Sequence, residues 1–172
     1  MKKMKRLVAV LLAGIMALAM LTACGGGSST PTIDVEKVEA LYMDIYNAAL
    51  GADADYENDA ELKMQVKNVL NESLDEAGNL KDGKEMTSKK YAGVTVWTTF
   101  TILAQPGNEN VPYGITSKEL AETLAHKDEA IAEVRNNFGK MGVTKETTTR
   151  LAVGAVKKGD KVYVAIAVKT ER

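Results

Sequence analysis

The feature that most constrains this chain is a run of apolar residues near the N-terminus that contains no charge. Residues 7–21 form the run, and Lys2, Lys3, Lys5 and Arg6 precede it. A basic flank followed by a short apolar core is typical of a secretory signal peptide, because the charges stay on the cytoplasmic side while the apolar segment enters the membrane. The run has about 15 residues, fewer than the roughly 20 that a membrane-spanning helix needs.

The apolar run leads into Leu21, Thr22, Ala23 and Cys24, and Cys24 is the only cysteine of the chain. This ending resembles the lipobox of bacterial lipoproteins, in which an aliphatic residue and two small residues precede the cysteine. The resemblance implies a diacylglycerol on the Cys24 thiol and cleavage of residues 1–23 as the signal peptide. Lipid at Cys24 would anchor the chain to the extracytoplasmic face of a bacterial cell membrane, because acyl chains contribute about 0.8 kcal/mol per buried methylene group. A plain secretory signal and a permanent membrane helix are the alternatives.

Beyond the signal peptide, composition indicates a linker and one domain. Residues 24–33 contain the lipidated cysteine and a flexible stretch of small polar residues (GGGSSTPT), and residues 34–172 suit one globular domain. The chain has 22 basic and 23 acidic residues. Four of the basic residues precede the apolar run, so the mature chain has 18 against 23, a net charge of −5. This acidic balance argues against nucleic acid as a partner.

Four segments have the apolar spacing of amphipathic helices. We expect the first at residues 34–50, the second at 58–77, the third from Thr116 and the fourth from Asp128. The expected caps and terminal glycines are Asp34 and Gly51, Asn58 and Gly78, Thr116 with its capping-box partner Glu119, and Asp128 with Gly139.

Three segments read as strands. Residues 94–103 are rich in β-branched and aromatic residues, with apolar side chains on both faces. Residues 151–156 and 162–168 flank a Lys-Lys-Gly-Asp turn, which predicts a β-hairpin. The polar segment 79–92 and the proline-containing segment 105–114 predict turns and loops. The order of elements indicates the α+β class, with a small antiparallel sheet and helices on one or both faces.

Three short segments add a resemblance to this order. They are residues 59–62 (DAEL), 108–114 (NENVPYG), and 151–156 (LAVGAV) with the strand after Gly159. All three are similar to segments of the CAP superfamily (cysteine-rich secretory proteins, antigen 5 and pathogenesis-related 1). The first resembles the family's D-x-x-L segment, the second its G-E-N-I-A-x-G signature, and the third its closing G-V-G-V hairpin. The resemblance implies a three-layer α-β-α sandwich with about four helices and a small, mainly antiparallel three-stranded sheet.

The residues of the family's site are largely missing. The family combines two histidines and two acidic residues in a cleft, whereas only Glu109 matches here, as the glutamate of the second segment. His126 is the only histidine, and it precedes the position that the family's histidine would occupy. Glu109 and His126 are therefore expected to line at most a vestigial cleft. A degenerate CAP-type hydrolase, or a metal-assisted enzyme using these two residues, is the alternative.

Two further groups of residues have simple structural interpretations. Acidic residues alternate through residues 53–61, but the sixth and twelfth positions of a calcium loop hold Asn58 and Met64, which do not fit its glycine and glutamate. We expect a solvated acidic loop there and no metal site. Tyr91, Trp97 and Phe100 could floor a ligand pocket, although aromatic residues at strand spacing usually belong to the core.

The sequence thus predicts a lipid-anchored envelope protein without catalytic residues or a cofactor. The expected partners are the membrane, through the lipid on Cys24, and an unknown envelope protein or small ligand. No nucleophile elbow is present, and Cys24 would be blocked by its acyl group.

Overall fold

The computed structural model describes residues 33–171. The predicted signal peptide and the predicted lipidation site Cys24 lie outside these residues. The helices of the described part are α1 (Val35–Leu50), α2 (Ala60–Ser73), α3 (Ser117–Ala125) and α4 (Lys127–Met141). The strands are β1 (Thr87–Tyr91), β2 (Val96–Ile102), β3 (Ala104–Gln105), β4 (Asn108–Pro112), β5 (Gly114–Ile115), β6 (Thr148–Lys158) and β7 (Lys161–Glu171). None of the described helices is long and apolar enough to cross a membrane.

The α+β class is confirmed, but the sheet is larger than the three strands expected. Five strands form the main sheet, and β3 pairs with β4 separately. All pairings among the described strands are antiparallel. Strands β3 and β5 overlap the ends of the expected loop 105–114 by one residue each, while β1 and β4 lie wholly within the two segments expected to be turns and loops. Their residues are mostly exposed, so neither segment has the apolar alternation that marks a half-buried strand.

Strand β7 is the centre of the main sheet. The hairpin partner β6 pairs along its whole length, while β2 and β5 pair with successive parts of β7. Because backbone groups of an antiparallel strand point alternately to its two sides, the registers place β2 and β5 on the side of β7 away from β6. The sheet therefore ends at β6 on one side, and at β1 and the short β5 on the other.

Helices cover both faces of this sheet. The even-numbered residues of β7 pack in one core cluster with α1 and Phe138 of α4. The odd-numbered residues, among them Ala165 and Ala167, pack in a second cluster with Leu62 and Val66 of α2. Small side chains on the second face allow a close approach, and a Cβ on Gly154 of β6 would lie 2.9 Å from Val66 Cγ1. The two faces thus hold α1 and α2 on opposite sides of β6 and β7.

The predicted ends of α1 and the start of α3 are confirmed. Asp34 accepts hydrogen bonds from the backbone N–H groups of Glu36 and Lys37, and α1 ends before Gly51. The capping box of Thr116 and Glu119 is present. These ends are local, so a sequence window of a few residues determines them.

The predicted ends of α2 are wrong. Asp59, not Asn58, caps the helix, accepting from the Leu62 N–H at 2.8 Å. The helix ends at Ser73, five residues before Gly78. Gly78 has a positive φ of 83°, and a Cβ there would lie 2.0 Å from the Tyr163 hydroxyl. The glycine thus serves a turn and a tertiary contact beyond the helix.

The predicted ends of α4 are also wrong. The helix begins at Lys127, so that Asp128 lies inside its first turn, and it continues through Gly139 to Met141. Gly142 ends the helix in the left-handed conformation, with φ 65° and ψ 28°. A left-handed residue after the last turn is favoured as glycine because it has no Cβ.

Candidate functional site

The two residues of the expected vestigial cleft lie on different elements and are both exposed. Glu109 lies in β4, and within residues 33–171 its side chain makes no hydrogen bond or ion pair. His126 joins α3 to α4, its side chain is 64% exposed, and Nδ1 lies 3.2 Å from Glu129 Oε1. No hydrogen bond or ion pair joins Glu109 to His126. Neither group has the buried, positioned setting that tunes a general acid or base.

The acidic segment 53–61 is occupied by caps and ion pairs. Asp53 pairs with Lys145, and this ammonium group holds the pKa of Asp53 below its usual value. Asp59 caps α2, and Glu61 lies 3.2 Å from Arg150. Within the described residues, no three histidine, cysteine or acidic side chains cluster closely enough to hold a metal ion.

The three aromatic residues considered for a pocket do not face one space. Phe100 is 1% exposed and belongs to the core under α2. Trp97 lies three positions away on the same strand, so its side chain points to the opposite face. Tyr91 pairs with Trp97 across β1 and β2 and is 72% exposed. Phe100 is thus a core residue, while Tyr91 lies at the surface.

The outer edge of β6 is closed by polar groups from the segment before α2. The Asn58 side-chain amide makes the two hydrogen bonds that a neighbouring strand would make with Val153. Its Oδ1 accepts from the Val153 N–H at 3.0 Å, and its Nδ2 donates to the Val153 carbonyl at 2.9 Å. The next residue, Asp59, donates its backbone N–H to the Leu151 carbonyl at 3.2 Å. Unpaired strand edges invite pairing with other chains, and these contacts occupy that position.

A buried glutamate continues this closure. Glu39 of α1 is 2% exposed, and its Oε1 accepts the Ala155 N–H at 2.9 Å. The same oxygen lies 2.9 Å from Lys67 Nζ, and Lys63 contacts Oε2. Both lysines belong to α2, on the other face of the sheet. The ion pairs between the two helices can therefore form only beyond the edge of β6, which they cover. We call Glu39, Asn58, Asp59, Lys63 and Lys67 the edge clasp.

The groups that contact Glu39 keep its carboxyl group ionised. Burial alone raises the pKa of a carboxyl group, and it is the largest single effect on Glu39. The contacts with Lys63, Lys67 and the Ala155 N–H together outweigh it, so the pKa of Glu39 lies below its usual value. The carboxylate is a permanent negative charge at neutral pH, balanced by two partly exposed ammonium groups.

The opposite edge of the sheet, β1, has no such cover. All five of its residues are exposed. The Ala92 N–H donates to the Val96 carbonyl, and the Ile102 N–H donates to the Met86 carbonyl. Because backbone groups alternate along an antiparallel pair, these two bonds assign Ser88 and Lys90 to the ladder with β2. The N–H and C=O groups of Thr87, Lys89 and Tyr91 then point away from the sheet.

Charge along β1 is positive and unbalanced. Within residues 33–171, neither Lys89 nor Lys90 makes an ion pair. Lys90 Nζ lies 5.1 Å from the centre of the Phe100 ring. Lys90 also begins a cross-strand row that continues through Thr98 and Lys169 to Arg150. Arg150 already has Asp59 and Glu61 as counter-ions, so the positive charge that adjoins the open edge on this face is that of Lys90 and Lys169.

Comparison with known proteins gives no match. No protein-family model matches this sequence, and neither a curated protein nor a solved structure matches it. The CAP-like resemblance therefore rests on the sequence segments described above.

Sequence reasoning did not identify the clasp or the open edge. One signal was present for Glu39, which lies four residues after Val35 and before Met43, on the side of α1 that is otherwise apolar. A charged residue on such a stripe indicates a buried partner. For β1 no signal was present, because its polar sequence TSKKY is held only by pairing with β2.

Proposed function

We propose that this protein is a lipid-anchored, extracytoplasmic binding domain of the bacterial cell envelope, without catalytic activity. The observation that carries the proposal is the N-terminal sequence, in which a basic flank and a short apolar run end at Leu-Thr-Ala-Cys24. Small residues before the only cysteine fit a peptidase that must approach the backbone closely, and a thiol at this position has a use as a lipid acceptor. The eight residues after it contain no apolar face and suit a tether.

A binding role is supported by what lies on the surface of the described domain. Glu109 and His126 are exposed and have no shared contact, whereas a general acid or base must be held in position at the reacting group. By contrast, β1 exposes backbone donors and acceptors together with two unpaired ammonium groups. Such groups suit recognition of another chain.

We also propose that the domain is a divergent CAP-like sandwich. Three features support this: helices pack on both faces of an antiparallel sheet, Asp59 caps the second helix, and a long hairpin closes the chain. The segment 108–114 includes β4 and leads into α3, as a segment beside the family's cleft would.

Metabolic labelling with radioactive palmitate tests the lipid anchor. We expect the wild-type chain to incorporate label and Cys24→Ala to incorporate none, since acylation requires the thiol. Thr22→Ser is the matched control, because it keeps a small residue in the lipobox, and it should be labelled like the wild type. Equal label in Cys24→Ala would refute the anchor.

A further inference from the structure

We propose that β1 is a docking edge, at which an extended acidic segment of another envelope protein adds a sixth strand to the main sheet. This rests on the proposed function as a binding domain and names the chemistry of its partner. The two sets of observations that carry it are the backbone groups of β1 and the charges beside them.

The outward backbone groups of β1 are positioned to pair with an added strand. Thr87, Lys89 and Tyr91 each direct one N–H and one C=O outwards, by the alternation fixed at Ala92 and Ile102. An added strand could therefore form hydrogen bonds at three successive outward positions. Main-chain hydrogen bonds of this kind supply affinity in strand addition, while side chains supply specificity.

The rest of the sheet directs the partner to this edge. At β6, the outward N–H and C=O of Val153 are already bonded to Asn58, and the outward N–H of Ala155 is bonded to Glu39. The other strand at this boundary, β5, is only two residues long, and its residues are half-buried or buried. Within the main sheet, β1 is therefore the edge with room for a segment of several residues.

The charges select an acidic partner. In strand addition, a side chain of the new strand lies directly opposite each side chain of β1. Carboxylates opposite Lys89 and Lys90 would give each ammonium the counter-ion that it lacks in the described domain. The carboxylate opposite Lys90 would also lie in the cross-strand row that contains Lys169. The recognised motif thus has two adjacent acidic residues, one for each face.

A third feature defines one end of the motif. Tyr91 is 72% exposed and lies across from Trp97, and Val94 in the turn between β1 and β2 is 99% exposed. An apolar residue of the partner opposite Tyr91 would cover this apolar surface. The expected motif therefore contains an acidic pair with a β-branched or aromatic residue beside it.

A second copy of this chain fits the edge poorly. A two-fold antiparallel pairing that uses all of β1 must be centred on its middle residue, Lys89. The two Lys89 side chains would then lie directly opposite each other, and like charges in this position are destabilising. The charges thus favour a different, acidic chain.

Binding of a synthetic peptide tests the proposal. The probe is a fluorescein-labelled, acetylated and amidated hexapeptide, TVEEVT, and its control is TVKKVT. Fluorescence anisotropy is measured with the full chain purified in detergent. We expect TVEEVT to bind, its affinity to fall as salt is raised, and TVKKVT to bind at least about tenfold more weakly.

Two variants locate the site. Lys89→Pro removes an outward N–H and one ammonium group without removing a hydrogen bond to β2, and it should weaken TVEEVT binding at least about tenfold. The double variant Lys89→Glu/Lys90→Glu should weaken it at least as much. The charge-matched control, Lys140→Glu/Lys157→Glu, changes exposed lysines elsewhere and should stay within about twofold of the wild type. Circular dichroism checks that each variant is folded.

Several results would overturn the proposal. They are no binding of TVEEVT, equal binding of TVKKVT, or unchanged binding by the folded double variant. No binding would mean that the lysines of β1 serve only to prevent aggregation at an open edge. A dimer of the wild-type chain in sedimentation, abolished in Lys89→Pro, would instead assign the edge to a second copy.

Failure here is distinguishable from failure of the proposed function. The palmitate experiment measures only acylation at Cys24, and the peptide experiment measures only binding at β1. Equal label in wild type and Cys24→Ala, together with normal binding of TVEEVT, would refute the anchor and leave the docking edge. The reverse result would leave a lipid-anchored domain whose binding surface lies elsewhere.

Discussion

The two edges of the main sheet are protected in different ways. At β6, polar groups from α1 and from the segment before α2 bond to outward backbone groups of Leu151, Val153 and Ala155. At β1, the outward positions are open, and only the charges of Lys89 and Lys90 discourage unspecific pairing. A sealed edge contributes to stability, whereas a charged open edge can still accept a partner of opposite charge. The β6 edge therefore stabilises the fold, whereas the β1 edge is available for binding.

The largest effect should come from removing the carboxylate of the clasp. Glu39→Ala leaves the Ala155 N–H buried without an acceptor and leaves Lys63 and Lys67 without their counter-ion. Breaking a buried ion pair costs about 3 kcal/mol of unfolding free energy, at the low end of the known range because both lysines reach water. Urea unfolding at pH 7 measures it.

The matched control for this change is Glu133→Ala, which removes an exposed carboxylate from α4 and should change stability little. If Glu39→Ala were no more destabilising than Glu133→Ala, the clasp would not hold the edge.

The pH dependence of the unfolding free energy tests whether the negative charge of Glu39 stabilises the fold. The pKa of Glu39 is lower in the folded chain than in the unfolded chain, where it is about 4.3. Its contribution is therefore complete above that value and is lost as the pH falls through the lower, folded pKa. We expect the stability difference between wild type and Glu39→Gln to be greatest at neutral pH and to shrink at acidic pH. Urea titrations from pH 7 to pH 3 measure this, and a constant difference would contradict it.

A smaller loss should follow from opening the edge at Asn58. Asn58→Ala removes both side-chain hydrogen bonds to Val153, at about 1 kcal/mol each. We expect a loss of about 2 kcal/mol in urea unfolding, together with faster amide exchange at Val153. Asn110→Ala, on the exposed strand β4, is the control. Unchanged exchange at Val153 would mean that Asn58 does not cover the strand.

The close packing of α2 on β6 should have a moderate effect. In Gly154→Ala, the new methyl group would lie 2.9 Å from Val66 Cγ1 and 3.1 Å from the Lys63 carbonyl oxygen. The helix that carries Lys63 and Lys67 must then move outwards. We expect a net loss of about 1 kcal/mol, because overpacking is partly offset by the lower entropy of unfolded alanine. The double variant Gly154→Ala/Val66→Ala should recover part of it, and an unchanged melting temperature in Gly154→Ala would exclude the close contact.

The smallest effect should come from the open edge. Lys89→Pro removes an N–H that bonds to no other strand, so we expect less than about 0.5 kcal/mol of destabilisation. Lys90→Pro is the neighbouring control and should cost clearly more, because its N–H belongs to the ladder with β2. Thermal unfolding compares the two, and equal losses would mean that the alternation along β1 is assigned wrongly.

Local patterns explain what the sequence could predict. The β6–β7 hairpin alternates around a Gly-Asp turn, and Asp34, Thr116 and Glu119 form their caps within a few residues. These elements are determined by neighbours along the chain, so a short window of sequence contains the necessary information.

Tertiary contacts explain what the sequence could not predict. Strand β1 has no apolar side to mark it, and it exists because β2 offers an unpaired edge. Asn58 matches the preference for a helix cap, but its side chain bonds to β6, and Asp59 takes the cap. The role of Glu39 depends on two lysines from another helix. The candidate surface was therefore not visible in the sequence, although its lysines were.

Residue-resolved amide hydrogen exchange of the full chain compares the two edges most directly. We predict that the outward N–H groups of Val153 and Ala155 are protected, while those of Thr87, Lys89 and Tyr91 exchange at rates close to those of an unstructured chain. Ser88 and Lys90, between them, should be slower. Protection at Lys89 equal to that at Val153, in the absence of any partner, would contradict the claim that the sheet has one sealed edge and one open edge.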